Sequence, residues 1–280
     1  MADVDWIALS LLRNVGTKTI SALIEEFGSA KAILQADTED LLQVRGVGQK
    51  TAAAIVDIDL AHIIQQIRKW EANGVIICPA YAENYPTALR NLDDAPPTLF
   101  IRGRLPLPTK AVAIVGTRQP SEKAREIALK LGKCLAEQGW AIVSGLAHGI
   151  DTAAHEGALR VPDSRTIAVL GSGVLNIYPE KNIALAQHIL QQGAIVGENH
   201  PDAIPNAPRL VSRNRIISGL CQHVIVVETS INGGAMYAAR AATAQGRTLH
   251  AVRLAESGNR ELLKNQAKYI NPDLANVTLD

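Results

Sequence analysis

Apolar and polar residues alternate in two different ways along the chain, and the change falls near residue 75. Before it, apolar positions recur at helical spacing in short stretches, 3–12 and 20–27, and the second stretch ends at Gly28. From Ala111 onward, apolar runs alternate with longer helical patterns; the runs are 111–116, 140–145, 166–171, 194–197, 224–228 and 248–252. Apolar strands that alternate with helices are typical of a parallel sheet covered on both faces.

These patterns predict an α/β fold, a doubly wound and mostly parallel sheet, behind a small all-helical domain. The expected domains are residues 1–75 and 76–280, and the expected last strand is 248–252. The proline-rich passage 76–110 predicts two further strands, at 75–78 and 98–101. Doubly wound sheets bind ligands at the carboxyl ends of their strands, so the loops that follow the strands are the expected ligand side.

A tight turn between two short helices recurs in the first domain. Gly46 and Gly48 permit the turn, and Val47 lies between them as an apolar plug. The pattern resembles the helix-hairpin-helix motif, with residues 15–18 as a weaker first copy. In that motif the hairpin amides bind a DNA phosphate. Because the surrounding segment is acidic, structural packing or protein contact stays open as the alternative.

The charge of the chain is nearly balanced in total but not along its length. Lys and Arg number 28 against 27 Asp and Glu, a net charge of +1, which by itself argues against a nucleic-acid partner. Residues 1–75 carry seven cations and ten acids, and the remainder carries 21 cations and 17 acids. Two basic stretches stand out, 102–133 and 209–253. The first is equally explained by solvated helix faces, whereas the second is basic through Arg alone, which suits phosphate.

Several classes of protein are excluded or disfavoured. No apolar run approaches the ~18 residues of a membrane helix, and the acidic start does not fit a signal peptide. Cys78, Cys134 and Cys221 stand alone, as expected of reduced core residues in a cytoplasmic protein. The chain has no P-loop, and Gly171-Ser172-Gly173 is not followed by a third Gly as in a dinucleotide fingerprint. No cofactor is expected.

The strand-end loops predict an anion site made of backbone amides and cationic side chains. Three loops contribute after the first three strands of the repeat: Gly116-Thr117-Arg118, Ser144-Gly145 with His148, and Gly171 with Gly173. Asp151 is expected to cap the helix after the second loop.

Ser144, His148, Asp151 and His155 invite comparison with a hydrolase triad. The serine lacks the Gly-x-Ser-x-Gly elbow, so we assign the histidines to capping and packing instead. Asp151 and Glu198 belong to no dense carboxylate cluster, and no metal is expected.

Six ordered blocks resemble the DNA-processing protein A family, also called DprA or Smf. The blocks are 115–118, 144–151 with 154–155, 166–173, 178–182, 213–220 and 226–228. The resemblance implies an extended Rossmann-like domain behind a helix-hairpin-helix or SAM-like domain. It further implies a homodimer that binds single-stranded DNA without cutting it, protects incoming DNA, and hands it to the RecA recombinase in natural transformation and recombination.

The residues expected to bind DNA on this basis share a place at the strand-end loops or in the arginine-rich stretch. They are Gly116, Thr117, Arg118, Ser144, Gly145, His148, Gly171, Gly173, Lys181, Asn182, Arg213, Asn214 and Arg215. Tyr178 is the aromatic residue near this edge that could stack a base, although a Tyr-Pro turn is more often structural. Asn214 could bond a base edge or cap a helix.

The sequence departs from the family at 197–198, 211–212 and 232–239, and no winged-helix module is expected after Asp280. Two alternatives therefore stay open. One is a nucleotide N-glycosidase of the related Rossmann class, although its Pro-Gly-Gly-x-Gly-Thr-x-x-Glu site is reduced here to Gly233-Gly234. The other is a scaffold that has lost DNA binding.

Overall fold

The computed structural model describes residues 3–12, 15–273 and 277–279. The chain forms two compact units, Met1–Phe100 with Glu198–His200, and Ile101–Gly197 with Pro201–Asp280. The units divide later than the boundary at 75 expected from sequence, because residues 76–100 pack with the helices before them. For example, Trp6 Nε1 donates to the Pro97 carbonyl at 3.0 Å.

The smaller unit is mainly helical, as predicted. Its elements are α1 (Val4–Ser10), α2 (Thr17–Phe27), α3 (Ala30–Gln35), α4 (Thr38–Gln43), α5 (Gln49–Val56), α6 (Leu60–Ala72), β1 (Ile76–Pro79) and α7 (Thr87–Arg90). Asp3, Ser29, Asp37 and Asp59 each accept an amide hydrogen bond at the start of their helix. Gly28 ends α2 with φ +79°, a conformation that glycine adopts without strain.

The larger unit alternates strands and helices. After β2 (Thr98–Gly103), which crosses the division between the units, its elements are β3 (Ala111–Val115), α8 (Glu122–Glu137), β4 (Ala141–Ser144), α9 (Ile150–Leu159), β5 (Thr166–Val169), α10 (Ile183–Gln192), β6 (Ala194–Gly197), α11 (Ala207–Ser212), α12 (Asn214–Gly219), β7 (His223–Val226), α13 (Ala235–Ala244), β8 (Thr248–Val252), α14 (Ser257–Lys264) and β9 (Lys268–Ile270).

The strands of this unit run in the order β6-β5-β4-β3-β7-β8-β9, and each neighbouring pair is parallel. The doubly wound sheet predicted from the apolar runs is confirmed. Strand 248–252 is not the last strand, because β9 follows α14. The three residues of β9 include a single buried apolar side chain, Ile270, and this pattern is too short to predict a strand from the sequence.

The sheet reverses its winding direction between β3 and β7. The chain passes from β3 outward through β4, β5 and β6, and then returns to place β7 on the other side of β3. Helices α8 and α9 pack on one face of the sheet, in a core that includes Val112, Ile114, Ile142 and Ile225. A crevice opens at the carboxyl ends of two strands where the order reverses, and ligands bind there in such sheets.

All three cysteines are free. Cys78 and Cys221 are buried, as expected of core residues, whereas Cys134 is half-buried. Burial raises the pKa of the Cys78 thiol to about 11, so this thiol stays protonated near neutral pH.

Candidate nucleic-acid interface

A cavity of about 550 Å³ lies at the reversal point of the sheet. It is lined by the end of β3 and the loop after it, by Ala147 of the β4–α9 loop, by α11 and the start of α12, and by the loop that leads into α13. Its volume is in the range of pockets that hold a small organic ligand. A large cavity therefore lies on the predicted side of the sheet.

The β3–α8 loop forms one wall of the cavity and presents Arg118 to solvent. Glu228, at the end of β7, fixes this loop: its carboxylate accepts from the Ser121 N–H and hydroxyl, each at 2.7 Å. The Thr117 N–H donates to the Glu228 carbonyl at 2.8 Å. At Gly116 an added Cβ would lie 2.5 Å from Ile150 Cγ1. Only glycine allows this close approach of loop and helix.

The β4–α9 loop is held by Asp151. This carboxylate accepts from the Gly145 N–H at 3.1 Å and the Ala147 N–H at 3.3 Å. The prediction that Asp151 is the helix cap is wrong, since Gly149 occupies the N-cap and Asp151 lies inside the first turn. Its side chain reaches back to the loop instead of to the amides of its own helix. Leu146, between the two amides, has a left-handed φ of 58°.

Arg213 lines the cavity and joins two strand ends, those of β4 and β5. It is 6% exposed, and Nη1 donates to the Val169 carbonyl at 3.0 Å and to the Gly145 carbonyl. Burial raises the pKa of Asp151, and the charge of Arg213 together with the loop N–H groups opposes the rise. Burial likewise lowers the pKa of Arg213, against the effect of Asp151. The guanidinium thus braces the loops and is largely hidden from a ligand.

The β5–α10 loop supports the site without lining the main cavity. An added Cβ at Gly171 would lie 2.8 Å from the Arg209 carbonyl oxygen and the Leu210 Cα, so α11 packs directly on this glycine. The Gly173 N–H donates to the Ala203 carbonyl at 2.8 Å. Asn182 is buried and donates to the Leu146 carbonyl at 2.8 Å. These three residues hold the neighbouring loops in place.

Asn214 and Arg215 follow Arg213 at the start of α12. The Asn214 amide donates to the Val211 carbonyl at 3.0 Å, so this side chain caps the end of α11 while also lining the cavity. Arg215 is half-buried and does not line the cavity; its carbonyl accepts from Gln245 Nε2 at 2.9 Å. The geometry gives Asn214 the capping role that was one of its two interpretations.

Ser144 and His155, two of the residues compared with a hydrolase triad, bond to other groups. Ser144 is fully buried and its hydroxyl donates to the Ile114 carbonyl at 2.6 Å, so it does not reach the cavity. The Nδ1 atom of His155 lies 2.7 Å from the Thr166 hydroxyl, and burial lowers the pKa of this histidine to about 3. His155 is therefore a neutral core residue. The packing role of His155 agrees with the sequence analysis, whereas Ser144, which was expected to bind DNA, is buried and lines neither the cavity nor the cleft.

A smaller cleft of about 30 Å³ adjoins the main cavity at Arg118 and Arg213. His148 and Tyr178 are exposed and line it. Lys181 is exposed on a short 3-10 helix, Glu180–Asn182, that follows Tyr178 by one residue. It lines neither the cleft nor the cavity.

Tyr237 lines the main cavity from α13 and was missed by the sequence analysis. It lies within 232–239, the segment that departs from the family pattern. One signal was available, a large aromatic residue in an alanine-rich helix directly after two glycines.

The first helical hairpin is used within its own unit. Lys18 forms an ion pair with Asp93 at 3.2 Å, and the Thr17 hydroxyl donates to the Ala95 carbonyl. At the second hairpin, Gly46 has the expected left-handed φ of 91°, and Lys50 is exposed.

Among residues 3–12, 15–273 and 277–279, no group of three or more His, Cys, Asp or Glu side chains is arranged to hold a metal ion. In the same described ranges, no helix has the length and apolar character that a bilayer crossing requires.

The fold and the site together define a Rossmann-like protein with a crevice, lined in part by Arg118, at the reversal point of its sheet. The chain belongs to the DNA-processing protein A family. Residues 76–277 match the model of the family described as DNA recombination-mediator protein A, and residues 6–58 match the helix-hairpin-helix motif. The resemblance drawn from the sequence is confirmed.

Relatives agree with this assignment. The chain is 34% identical over 222 residues to DNA processing protein DprA of Bacillus subtilis, covering 79% of this chain and 73% of that protein. It is 41% identical over 214 residues to protein Smf of Escherichia coli, covering 76% and 57%. It thus spans little more than half of the E. coli relative.

Solved structures agree as well. DNA processing protein A of Streptococcus pneumoniae matches with a TM-score of 0.81 at 28% identity, over 99% of this chain and 98% of that one. The Helicobacter pylori protein, described by its single-stranded DNA binding mode, matches with a TM-score of 0.63 at 35% identity, over 70% and 90%.

Proposed function

We propose that this chain is a non-catalytic single-stranded DNA-binding protein that protects incoming DNA and loads the RecA recombinase in natural transformation and recombination. The observation that carries the proposal is the cavity between the ends of β3 and β7, where a braced glycine loop presents the exposed side chain of Arg118. The single-stranded DNA binding of the H. pylori relative supports it. Family membership supports the RecA step, a homodimer and a cytoplasmic location.

The cavity provides what a single strand requires. Non-specific binding needs positive charge along the phosphates, and groups that are already in place lose little entropy on binding. Here the Glu228 carboxylate and the buried Asp151 and Arg213 side chains fix the loops before any ligand arrives. Arg118 supplies exposed charge at the cavity, and Lys181 supplies it beside the smaller cleft.

Two roles follow for the predicted residues. Contact with the strand falls to those that line a cavity or are exposed beside it: Gly116, Thr117, Arg118, His148, Lys181 and Asn214. Support falls to those that are buried or bonded to other loops: Ser144, Gly145, Gly171, Gly173, Asn182 and Arg215. Arg213 belongs to both groups, because it is buried and also lines the cavity and the cleft.

The test is a fluorescence anisotropy titration of the full chain with a labelled strand of ~30 nucleotides at several salt concentrations. We expect salt-dependent binding that Arg118→Glu/Lys181→Glu weakens by at least about tenfold, with a salt slope lower by about 1.4 because each lost single-strand phosphate contact contributes ~0.7. The matched control is Lys123→Glu/Lys264→Glu, an equal charge change at two exposed cations outside the cavity and the cleft. Equal weakening by both pairs would contradict a local groove.

Two further assays test the remaining parts of the proposal. The protein should leave labelled strands and nucleoside monophosphates intact; release of a free base would instead support the N-glycosidase alternative. RecA filaments should assemble faster on a strand that this protein has bound, and an unchanged assembly rate would contradict the loading role.

A further inference from the structure

The lining of the main cavity combines groups of different chemistry. One wall, the β3–α8 loop, carries the cationic Arg118. Elsewhere the lining includes Val211 of α11 and Tyr237 of α13, whose exposed fractions are 38% and 45%. A phosphate is suited to the first wall alone, whereas a nucleobase has an apolar face that an aromatic ring can cover. The cavity therefore has a place for each part of a nucleotide.

Tyr237 is not needed for the packing of α13. The helix buries its other side through Ala235, Met236, Ala238, Ala239 and Ala242. Tyr237, at the third helical position, is left at the cavity surface. A large, exposed ring beside a cavity has no part in the core and is available to a ligand.

The ring of Tyr237 is oriented by its own helix. Arg240 lies three residues further on, with Cζ 5.8 Å from the ring centroid, a cation–π contact on the helix surface. Gly234 precedes the helix, and an added Cβ there would meet nothing within 4 Å. The space beside the first turn of α13 is therefore open.

We propose that Tyr237 is the base-stacking residue of this site, with Arg240 fixing the ring. The inference rests on the proposed function and names the aromatic platform within it. Tyr178, the aromatic residue expected from sequence, lies in the cleft of about 30 Å³, which has room for only one or two water molecules. Tyr237 lines a cavity of about 550 Å³ that admits a base.

Two ligands separate stacking from charge in the experiment. One is a labelled strand of ~30 nucleotides, and the other is an abasic strand of the same length that keeps its phosphates. Tyr237→Ala is expected to weaken binding of the ordinary strand by roughly 5- to 150-fold, the range for the loss of one stacked base. Binding of the abasic strand is expected to stay as in the unaltered protein. Tyr237→Phe should bind both strands normally, because the ring is retained.

Tyr269→Ala is the matched control, since Tyr269 is 70% exposed on β9 and does not line the cavity. It should bind both strands as the unaltered protein does, and so should Tyr178→Ala. Tyr237→Leu, which keeps apolar bulk without an aromatic face, should behave as Tyr237→Ala does. Urea unfolding of each variant establishes that it is folded.

Three results would overturn the inference. If the unaltered protein binds the ordinary strand while Tyr237→Ala binds it equally well, Tyr237 does not stack a base and the proposed function stands. If Tyr237→Ala weakens both strands equally, the residue acts on the phosphate wall. If the unaltered protein binds neither strand, the proposed function fails and this inference fails with it.

Discussion

At the scale of single residues, the site depends on two buried side chains of opposite charge, Asp151 and Arg213. Asp151 and Arg213 are 5% and 6% exposed, and between them they bond the backbone after β4 and the end of β5. A Cβ added at Gly145 would lie 2.5 Å from the Arg213 guanidinium and 2.8 Å from the Asp151 carboxylate, so the pair leaves no space at this glycine. The two side chains set the geometry of the β4–α9 loop, which lines the cavity through Ala147.

Removal of one member of this pair should be far more costly than removal of both. Arg213→Met leaves Asp151 buried without its counter-charge, and we expect it to lower the free energy of unfolding by about 3–5 kcal/mol. Asp151→Leu/Arg213→Met should lose less than the sum of the two single variants. Urea unfolding of the four proteins gives the coupling energy. Additive losses would show that the two charges do not depend on each other.

Gly149 tests the close approach of the two loops. It has φ +81°, and an added Cβ would lie 2.5 Å from the Thr117 carbonyl oxygen. Gly139 has nearly the same φ, +80°, with nothing within 4 Å of its added Cβ. Both alanine variants are strained by a positive φ. Gly149→Ala incurs further strain because its ψ of −119° lies outside the left-handed helical well, and it must also displace the loop that bears Arg118. We expect the larger loss of unfolding free energy, and weaker DNA binding, for Gly149→Ala only; equal losses would contradict the steric argument.

Residue types predicted the location of this site better than they predicted the roles within it. The glycines and arginines at the strand ends indicated an anion site, because strand order places those ends together. The sequence could not show how deeply each side chain is buried. Arg213 and Asn182 are buried and hold loops in place, whereas Arg118 and Lys181 are exposed. The burial of these side chains depends on the packing of α11 against the β5–α10 loop, and no local sequence pattern predicts that packing.

At the scale of elements, the two helical hairpins have similar sequences and different surroundings. The first hairpin contacts the segment that follows α7. The Thr17 hydroxyl donates to the Ala95 carbonyl, and Lys18 forms an ion pair with Asp93. In the second, Gln49 and Lys50 at the corresponding positions are exposed. The sequence analysis left packing and DNA contact open, and the structure shows packing for the first hairpin. Contact with DNA stays a prediction for the second.

The packing role of the first hairpin can be measured. Thr17→Val removes the donor to the Ala95 carbonyl and should lower the free energy of unfolding by about 0.5–1.5 kcal/mol. Gln49→Ala, at the matching position of the second hairpin, should change it by less than about 0.5 kcal/mol because the residue is exposed. Thermal or urea unfolding compares the two. A neutral Thr17→Val would show that this contact does not stabilise the unit.

At the scale of the whole molecule, the near-zero net charge hides its distribution. An acidic helical segment precedes a basic α/β segment, and exposed cations such as Arg118 and Lys181 lie beside strand-end loops. The apolar runs were sufficient to predict the parallel sheet, because a strand buried on both faces is apolar throughout. They did not predict β9, a short edge strand, or the packing of residues 76–100 with the helices, because both depend on contacts distant in sequence.

Acid should destabilise the molecule through two buried neutral histidines. Burial lowers the pKa of His155 to about 3, and burial with the nearby His223 and Lys268 lowers that of His250 to about 4, against an ordinary value of 6.5. Between pH 6.5 and these lowered pKa values, the unfolded chain binds protons that the folded chain does not. The free energy of unfolding is therefore full above pH 6.5 and falls as the pH drops toward 4. At pH 5 His155 alone should account for a loss of about 2 kcal/mol relative to pH 7.5.

Two measurements check this dependence on pH. Urea unfolding at pH 7.5 and pH 5 gives the loss of stability, to which His250 adds in the same direction. An NMR titration of the ring protons should show both histidines still neutral at pH 5, because protonation there would place a charge among buried groups. A His155 resonance that shifts between pH 7 and 5 would contradict the buried neutral state, even if the unfolding free energy fell. Agreement of both measurements would attribute the acid sensitivity to the core of the sheet domain, independent of the exposed charges that we assign to DNA.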